Sequence, residues 1–263
     1  IVIPKTSFKL YQKLNIIMLI LLNTSKTLNF NSNSYDSNYS IPHFLNESNK
    51  LVHFLKHKNE LELSCILHTN KKLTKLNYER FQKWNIHHNK NNSKQAIFTF
   101  TGTVLKGFDL KNYNKQNFDY LQKSLIILSG LYGIIKPLDL IQEYRLEMAS
   151  SLNESLNKFW KEKITEYIND QDQNFILNLA SVEYRNAIDF NKLNFKVITP
   201  VFKTIKNGNL KTVAIYSKQA RGLLANYIIK NNINLIDEIK KFNENNYKHE
   251  NKISSENELI FVN

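Results

Sequence analysis

Serine, lysine and arginine at positions 217, 218 and 221 lie in the segment Ser217-Lys218-Gln219-Ala220-Arg221-Gly222, a pattern suited to holding an anion. Read as a helix capped by Ser217, the segment leaves backbone N–H groups free and adds the positive end of the helix dipole. Lys218 and Arg221 are three apart and share a face over that terminus. The planar guanidinium of Arg221 matches a phosphate. The same residues also read as an ordinary capped helix with solvated bases. Two further segments, Ser25-Lys26-Thr27 and Ser181-Val182-Glu183-Tyr184, set hydroxyls beside one base and one carboxylate. Glu183 is the candidate catalytic residue, because a carboxylate among cations can act as a general acid or base. It can equally orient Arg221 or cap a helix.

Regular elements must bring these segments together. Apolar runs at 16–22, 96–100, 175–179 and 212–216 read as strands, each followed by a polar motif. Helices are expected from Pro42 (capped by Ser40) through about Trp84, over 118–128, and over 156–168. Asn207-Gly208 between the runs 196–202 and 212–216 marks a hairpin turn, Ser217 caps the helix that follows, and 259–262 reads as a last edge strand. The pattern is mixed α/β: a single compact domain over residues 18–263, with a mixed, partly antiparallel sheet flanked by helices. Ligands in such sheets gather beyond the carboxyl ends of strands. If the strands run parallel, the four motifs face one cleft.

Glycine and proline mark other positions that matter. The chain has six glycines and four prolines against 38 asparagines and 32 lysines, a composition typical of AT-rich codons. The window 128–148, LSGLYGIIKPLDLIQEYRLEM, holds Gly130, Gly133, Pro137 and one of four arginines, Arg145. Glycine and proline kept in such a background point to backbone constraints. In an extended segment Arg145 would point opposite Tyr144 and Leu146 into the cleft; an ion pair with a neighbouring glutamate is the alternative.

This window, with MLILLNTSKTL (18–28), KLTKLNYERFQKW (72–84), FTGTVLKGF (100–108), NLASVEY (178–184), KQARGLLANYIIKN (218–231) and the tail SSENELIF, resembles the YaaA family of bacterial peroxide-stress proteins. The resemblance runs along nearly the whole chain from Met18. It implies protection against hydroperoxide, less damage from intracellular iron, and affinity for duplex or structured DNA. Lys26, Arg145, Glu183, Lys218 and Arg221 match the family pattern. Asn23-Thr24-Ser25 replaces Ser-Pro-Ala, Thr103 an acid, Leu105 a tyrosine and Glu143 a proline. Gly130-Leu131-Tyr132-Gly133 also reads as the turn of a helix-hairpin-helix, whose amides, with Lys136 nearby, would contact DNA phosphates without reading sequence. A structural turn packing Leu131 and Tyr132 is the other reading.

Charge supports a polyanion partner. The formal net charge is +13, and residues 190–236 carry eight bases (Lys192, Lys196, Lys203, Lys206, Lys211, Lys218, Arg221 and Lys230) with no Asp or Glu. Residues 80–108 carry five bases and no acid. Such stretches attract DNA through phosphates or form a solvated lysine surface. The single cysteine, Cys65, excludes an internal disulfide framework and fits the cytoplasm. Within the apolar run 63–67 it reads as a core residue, and His53, His57 and His68 as surface residues rather than metal ligands. No cofactor fingerprint, Walker loop or nucleophile elbow appears, and no apolar run has membrane-spanning length. Residues 1–17, before the first methionine, read as an upstream extension outside the native fold.

The sequence therefore suggests a cytoplasmic peroxide-stress protein that binds DNA, tolerant of sequence, through a basic cleft containing Lys26, Gly130, Gly133, Lys136, Arg145, Ser217, Lys218 and Arg221. It needs neither metal nor cofactor. The alternative is an enzyme acting on a phosphate-bearing or nucleobase substrate at the strand ends.

Overall fold

A computed structural model describes residues 17–31 and 38–263. Nearly all of the expected upstream extension lies outside the described residues. Ile17 and Asn174 bind each other, the Ile17 amide donating to Asn174 Oδ1 and the Asn174 amide to the Ile17 carbonyl, both at 2.8 Å.

The main sheet is built around β1 (Met18–Asn23), apolar except at its end because both faces of a central parallel strand are covered. Its other strands are β3 (Leu125–Ser129), β4 (Gly133–Ile135), β6 (Phe175–Asn178), β7 (Lys196–Lys206), β8 (Asn209–Lys211), β9 (Lys248–His249) and β10 (Glu258–Val262). Their order is β4-β3-β1-β6-β7-β10-β9, with β8 paired to β7. The five strands β3, β1, β6, β7 and β10 are mutually parallel, while β4, β8 and β9 pair antiparallel. A separate two-strand ribbon joins β2 (Lys94–Gln95) to β5 (Leu140–Ile141).

Helices α1 (Leu45–Lys56), α2 (Glu60–Leu67) and α3 (Lys71–Lys83) come first, then the single turn α4 (Ala96–Thr99) and α5 (Lys115–Ser124). They are followed by α6 (Leu156–Asn169), the short α7 (Val182–Arg185), α8 (Ala214–Lys230) and α9 (Ile236–Ile239). The asparagine-rich composition supplies caps: Asn59, Asn70 and Asn114 accept the N3 amides of α2, α3 and α5, and Ser155 does so for α6. Trp84, Trp160 and Tyr132 are fully buried in the core.

The mixed α/β architecture is the one expected, but several local readings change. Residues 96–100 form a helical turn, not a strand: the Ala96 and Ile97 amides donate to the Asp139 and Pro137 carbonyls, both at 2.9 Å. The expected helix over 118–128 ends at Ser124, and its apolar second half enters the sheet as β3. Ser40 does not cap α1; its hydroxyl donates to Asp139 Oδ1 at 2.6 Å, and the helix begins at Leu45. The last strand is not an edge, because β9 covers its outer side. Cys65 is exposed on the outer side of α2, where helical spacing buries Leu63 and Leu67 instead, so the core reading of this thiol is corrected.

The hairpin at Asn207-Gly208 is as expected, with φ of 53° and 72° at the two turn residues. Beyond it, residues 212–216 are not a strand. α8 begins at Ala214 after Val213, so Ser217 stands inside the first turn: its amide donates to the Val213 carbonyl and its hydroxyl to the Phe202 carbonyl at 3.3 Å.

Candidate functional site

Parallel pairing of β3, β1 and β6 sets their carboxyl ends side by side, and the polar motifs that follow them meet there. The Ser181 amide donates to Asn23 Oδ1 at 3.0 Å, and the Thr24 hydroxyl to the Tyr184 hydroxyl at 3.2 Å. The Thr101 hydroxyl donates to the Thr27 hydroxyl at 2.9 Å, bringing in the segment after α4. Arg221 reaches the same place from α8, its Nη1 donating to the Leu179 carbonyl at 3.3 Å and its Nε to the Ser217 carbonyl at 3.2 Å. Four motifs scattered through the sequence thus adjoin one sheet end.

The signature window supplies the carboxylates of this cluster. Glu147 holds two cations: Lys26 Nζ at 2.5 Å on Oε2 and Arg145 Nη2 at 2.9 Å on Oε1. Arg145 is therefore ion-paired to a neighbouring glutamate, which also holds Lys26. Its Nε is buried without a hydrogen-bond partner among the described residues. Glu183 accepts the Ala149 amide at 3.2 Å. Tyr184 is buried, and desolvation pushes its hydroxyl up to about 12. Arg221 differs from the other cations. Its only polar partners among the described residues are the two carbonyls, and burial lowers its pKa. A half-buried guanidinium without a carboxylate retains an unmet demand for negative charge.

Gly130 and Gly133 have other work. They join β3 to β4, so a strand stands on each side and the helix-hairpin-helix reading is corrected: these are the turn residues of a buried β-hairpin. A Cβ on Gly130 would lie 2.4 Å from the Leu146 carbonyl oxygen. Gly133 has φ +66° and lies under the Trp160 ring, 2.6 Å from where a Cβ would project. Neither amide is on the surface. Lys136 is half-buried, its amide donating to Asp139 Oδ2 at 2.7 Å. Glu143, where the family pattern has proline, pairs with Arg80 at 3.1 Å. That pair borders a cavity of about 760 Å³ lined also by Lys83, Lys90 and Lys94, apart from the strand-end cluster.

Tyr132 is the hub of the signature window. Its hydroxyl accepts from Trp84 Nε1 at 3.0 Å and from the Gln142 amide at 3.1 Å, which occupies both lone pairs. The third partner of its hydroxyl is His88 Nε2 at 3.0 Å, and His88 Nδ1 lies 3.2 Å from both the Ile86 carbonyl and Gln142 Nε2. Burial pushes His88 down to about 4 from an ordinary 6.5. Between those values the native state binds fewer protons than the unfolded chain. Stability present above pH 6.5 is therefore lost as pH falls toward 4. Going from pH 7 to pH 5 this term should cost on the order of 1–2 kcal/mol. Asp139, raised by burial to about 6, opposes it over part of that range. The difference between wild type and His88→Asn isolates the histidine. Urea midpoints at both pH values should show the extra acid loss only in the wild type.

The remaining acid-free surface is β7, β8 and the first turns of α8. Lys206, Lys211 and Lys218 are exposed and Lys203 half-exposed, and none of the four makes an ion pair among the described residues. Lys196 and Lys230, in the same stretch, are paired with Glu256 and Asp109. Of the sequence-predicted residues, Lys26, Arg145 and Arg221 join at the strand ends and Lys218 lies on the exposed lysine face. Ser217 is buried between them. The sequence reading offered a neighbouring glutamate as partner for Arg145, but not that Glu147 would also hold Lys26, because nothing in local spacing ties it to a residue 121 positions away. Among the described residues, no helix is long and apolar enough to cross a membrane.

The chain is similar to known proteins along most of its length. A family model described as "Peroxide stress protein YaaA" matches residues 18–253. UPF0246 proteins of Shewanella pealeana, Rickettsia bellii and Flavobacterium johnsoniae are each 40% identical to this chain. Each alignment covers 93% of the chain and 98–100% of the relative. The matched region contains the whole strand-end cluster and the lysine face, and the chain belongs to the YaaA family of peroxide stress proteins.

Proposed function

We propose that this is a cytoplasmic peroxide-stress protein that binds DNA through the acid-free face of β7, β8 and α8, and so limits oxidative, iron-dependent damage. The observation that carries the reading is that one acid-free stretch of sequence folds into β7, β8 and the start of α8, where Lys203, Lys206, Lys211 and Lys218 reach solvent without carboxylate partners among the described residues. Unpaired lysines release counterions from DNA without reading its sequence. Gly130 and Gly133, two members of the expected basic cleft, have buried amides and are left out of this interface. Replacing Lys206, Lys211 and Lys218 by Gln should flatten the slope of log K against log salt by about 2.7, equally for unrelated duplexes. Fluorescence anisotropy at several salt concentrations measures it. An unchanged slope would remove this face from the interface.

The strand-end cluster favours a second reading: catalysis on a phosphate-bearing substrate, with Arg221 as anion holder and Glu183 as acid or base. Its support is the desolvated guanidinium of Arg221 without a carboxylate, at the same strand end as Glu183. Glu183→Gln separates the two readings. A DNA-binding protein keeps its affinity and its hydroperoxide protection, whereas an enzyme keeps the affinity and loses the protection.

A further inference from the structure

The β7–β8 ribbon leaves the sheet. β10 accompanies β7 only to Lys203, after which Asn263 closes the edge: its amide donates to the Lys203 carbonyl and its carbonyl accepts from Ile205, both at 3.1 Å. Beyond that point β7 and β8 pair only with each other, in the register Thr204↔Lys211, Ile205↔Leu210 and Lys206↔Asn209. Ile205 and Leu210 oppose one another on one face of this free ribbon and are 60% and 43% exposed. Lys206 and Lys211 project from the other face, since successive residues alternate.

An exposed apolar cross-strand pair at the tip of a basic ribbon is costly in water and gains about 25 cal/mol per Å² when covered. The cover must tolerate lysines at its margins, which selects a polyanion. A lipid surface is the weaker fit, because one myristoyl chain alone gives only marginal binding and this pair offers fewer CH₂ groups. Two-stranded ribbons dock in the major or the minor groove, and apolar side chains inserted from the minor groove open base steps and kink the duplex.

We propose that the ribbon enters a groove of duplex DNA and that Ile205 and Leu210 wedge into a base step. The protein then selects duplexes that unstack easily, those with pyrimidine–purine steps over stiff A-tracts. The proposal rests on the DNA-binding reading above, which it deepens from phosphate contact to deformation.

The test is the double substitution Ile205→Thr and Leu210→Thr, which places a β-branched side chain, suited to a strand, at both exposed positions and should leave the melting temperature unchanged. Should it lower the melting temperature, the single variant Leu210→Thr replaces it. The probes are 2-aminopurine duplexes, one with central TA steps and one an A-tract. Wild type is expected to brighten the TA probe and to bind it roughly tenfold more tightly than the A-tract. The variant should lose both effects while its salt slope stays that of the wild type. If the variant matches the wild type in brightening and preference while both bind with a steep salt slope, the wedge is wrong and DNA binding stands. Absence of any salt-dependent binding by the wild type overturns both. Flotation of the wild type with phosphatidylglycerol vesicles, lost in the variant while duplex binding is unaffected, would assign the ribbon to a lipid surface instead.

Discussion

Gly222→Ala is expected to destabilise the protein by about 3–5 kcal/mol, against a total stability of roughly 5–15 kcal/mol for a domain. α8 crosses the 3₁₀ turn Leu105–Gly107 with the backbones almost touching. A Cβ at 222 would stand 1.9 Å from the Val104 carbonyl oxygen and 2.8 Å from its carbon, and backbone there cannot swing aside as a side chain would. Gly107 faces the same contact, 2.6 Å from the Gly222 carbonyl carbon to its own added Cβ, so neither side can yield to the other. Helix propensity alone gives the opposite sign, since Ala is favoured over Gly by about 1 kcal/mol inside a helix. The two effects therefore make opposed predictions, and the distance decides between them. A melting temperature roughly 10 °C below wild type is expected; an unchanged or higher one would show that the crossing is looser than described. Because the crossing seats the helix that carries Arg221, loss of protection in this variant would report on positioning, not on Gly222 itself.

Tyr132→Phe should cost about 3–4 kcal/mol, from the usual penalty for stranding buried donors. The substitution changes volume little but removes the acceptor of Trp84 Nε1–H and of the Gln142 amide, and the partner of His88 Nε2. Tyr132 is fully buried, so water does not replace the lost partner. Chemical denaturation should show the loss in midpoint with an unchanged slope. Trp84→Phe makes a useful comparison: it deletes one donor and leaves Tyr132 its other two partners, so any excess of Tyr132→Phe over it, after allowance for lost ring volume, measures the hub. An effect below 1 kcal/mol for Tyr132→Phe would mean that the neighbouring groups find other partners. The same network explains why the 128–148 window holds so little freedom. It is chiefly a structural clasp: Gly130 lies against Leu146, Trp160 donates to the Gly130 carbonyl at 2.9 Å, and the loop so fixed presents Arg145 and Glu147 to the strand ends.

By itself the sequence determined the elements whose signals are local and strong. The apolar run of β1, the helices through Trp84, the helix from Leu156 and the Asn207-Gly208 turn each follow from periodicity or from residues that only one backbone conformation suits. It also marked Gly130 and Gly133 as constrained, and both sit where a Cβ would collide, as do Gly102, Gly107 and Gly222, which no local signal singled out. Short apolar runs carried no such information. Residues 96–100 became a helical turn because carbonyls of the signature loop, some 40 positions on, satisfy its first amides. Residues 125–128 became a strand because β1 offered an unpaired edge. The exposure of Cys65 turned on which side of α2 meets α3, a matter of a single helical turn. Tertiary structure alone decided the long-range electrostatics: Lys26 brought to Glu147, and Arg221 left without a carboxylate among the described residues. Those facts depend on distances between residues far apart in sequence, and charge interactions follow distance and burial, not order along the chain.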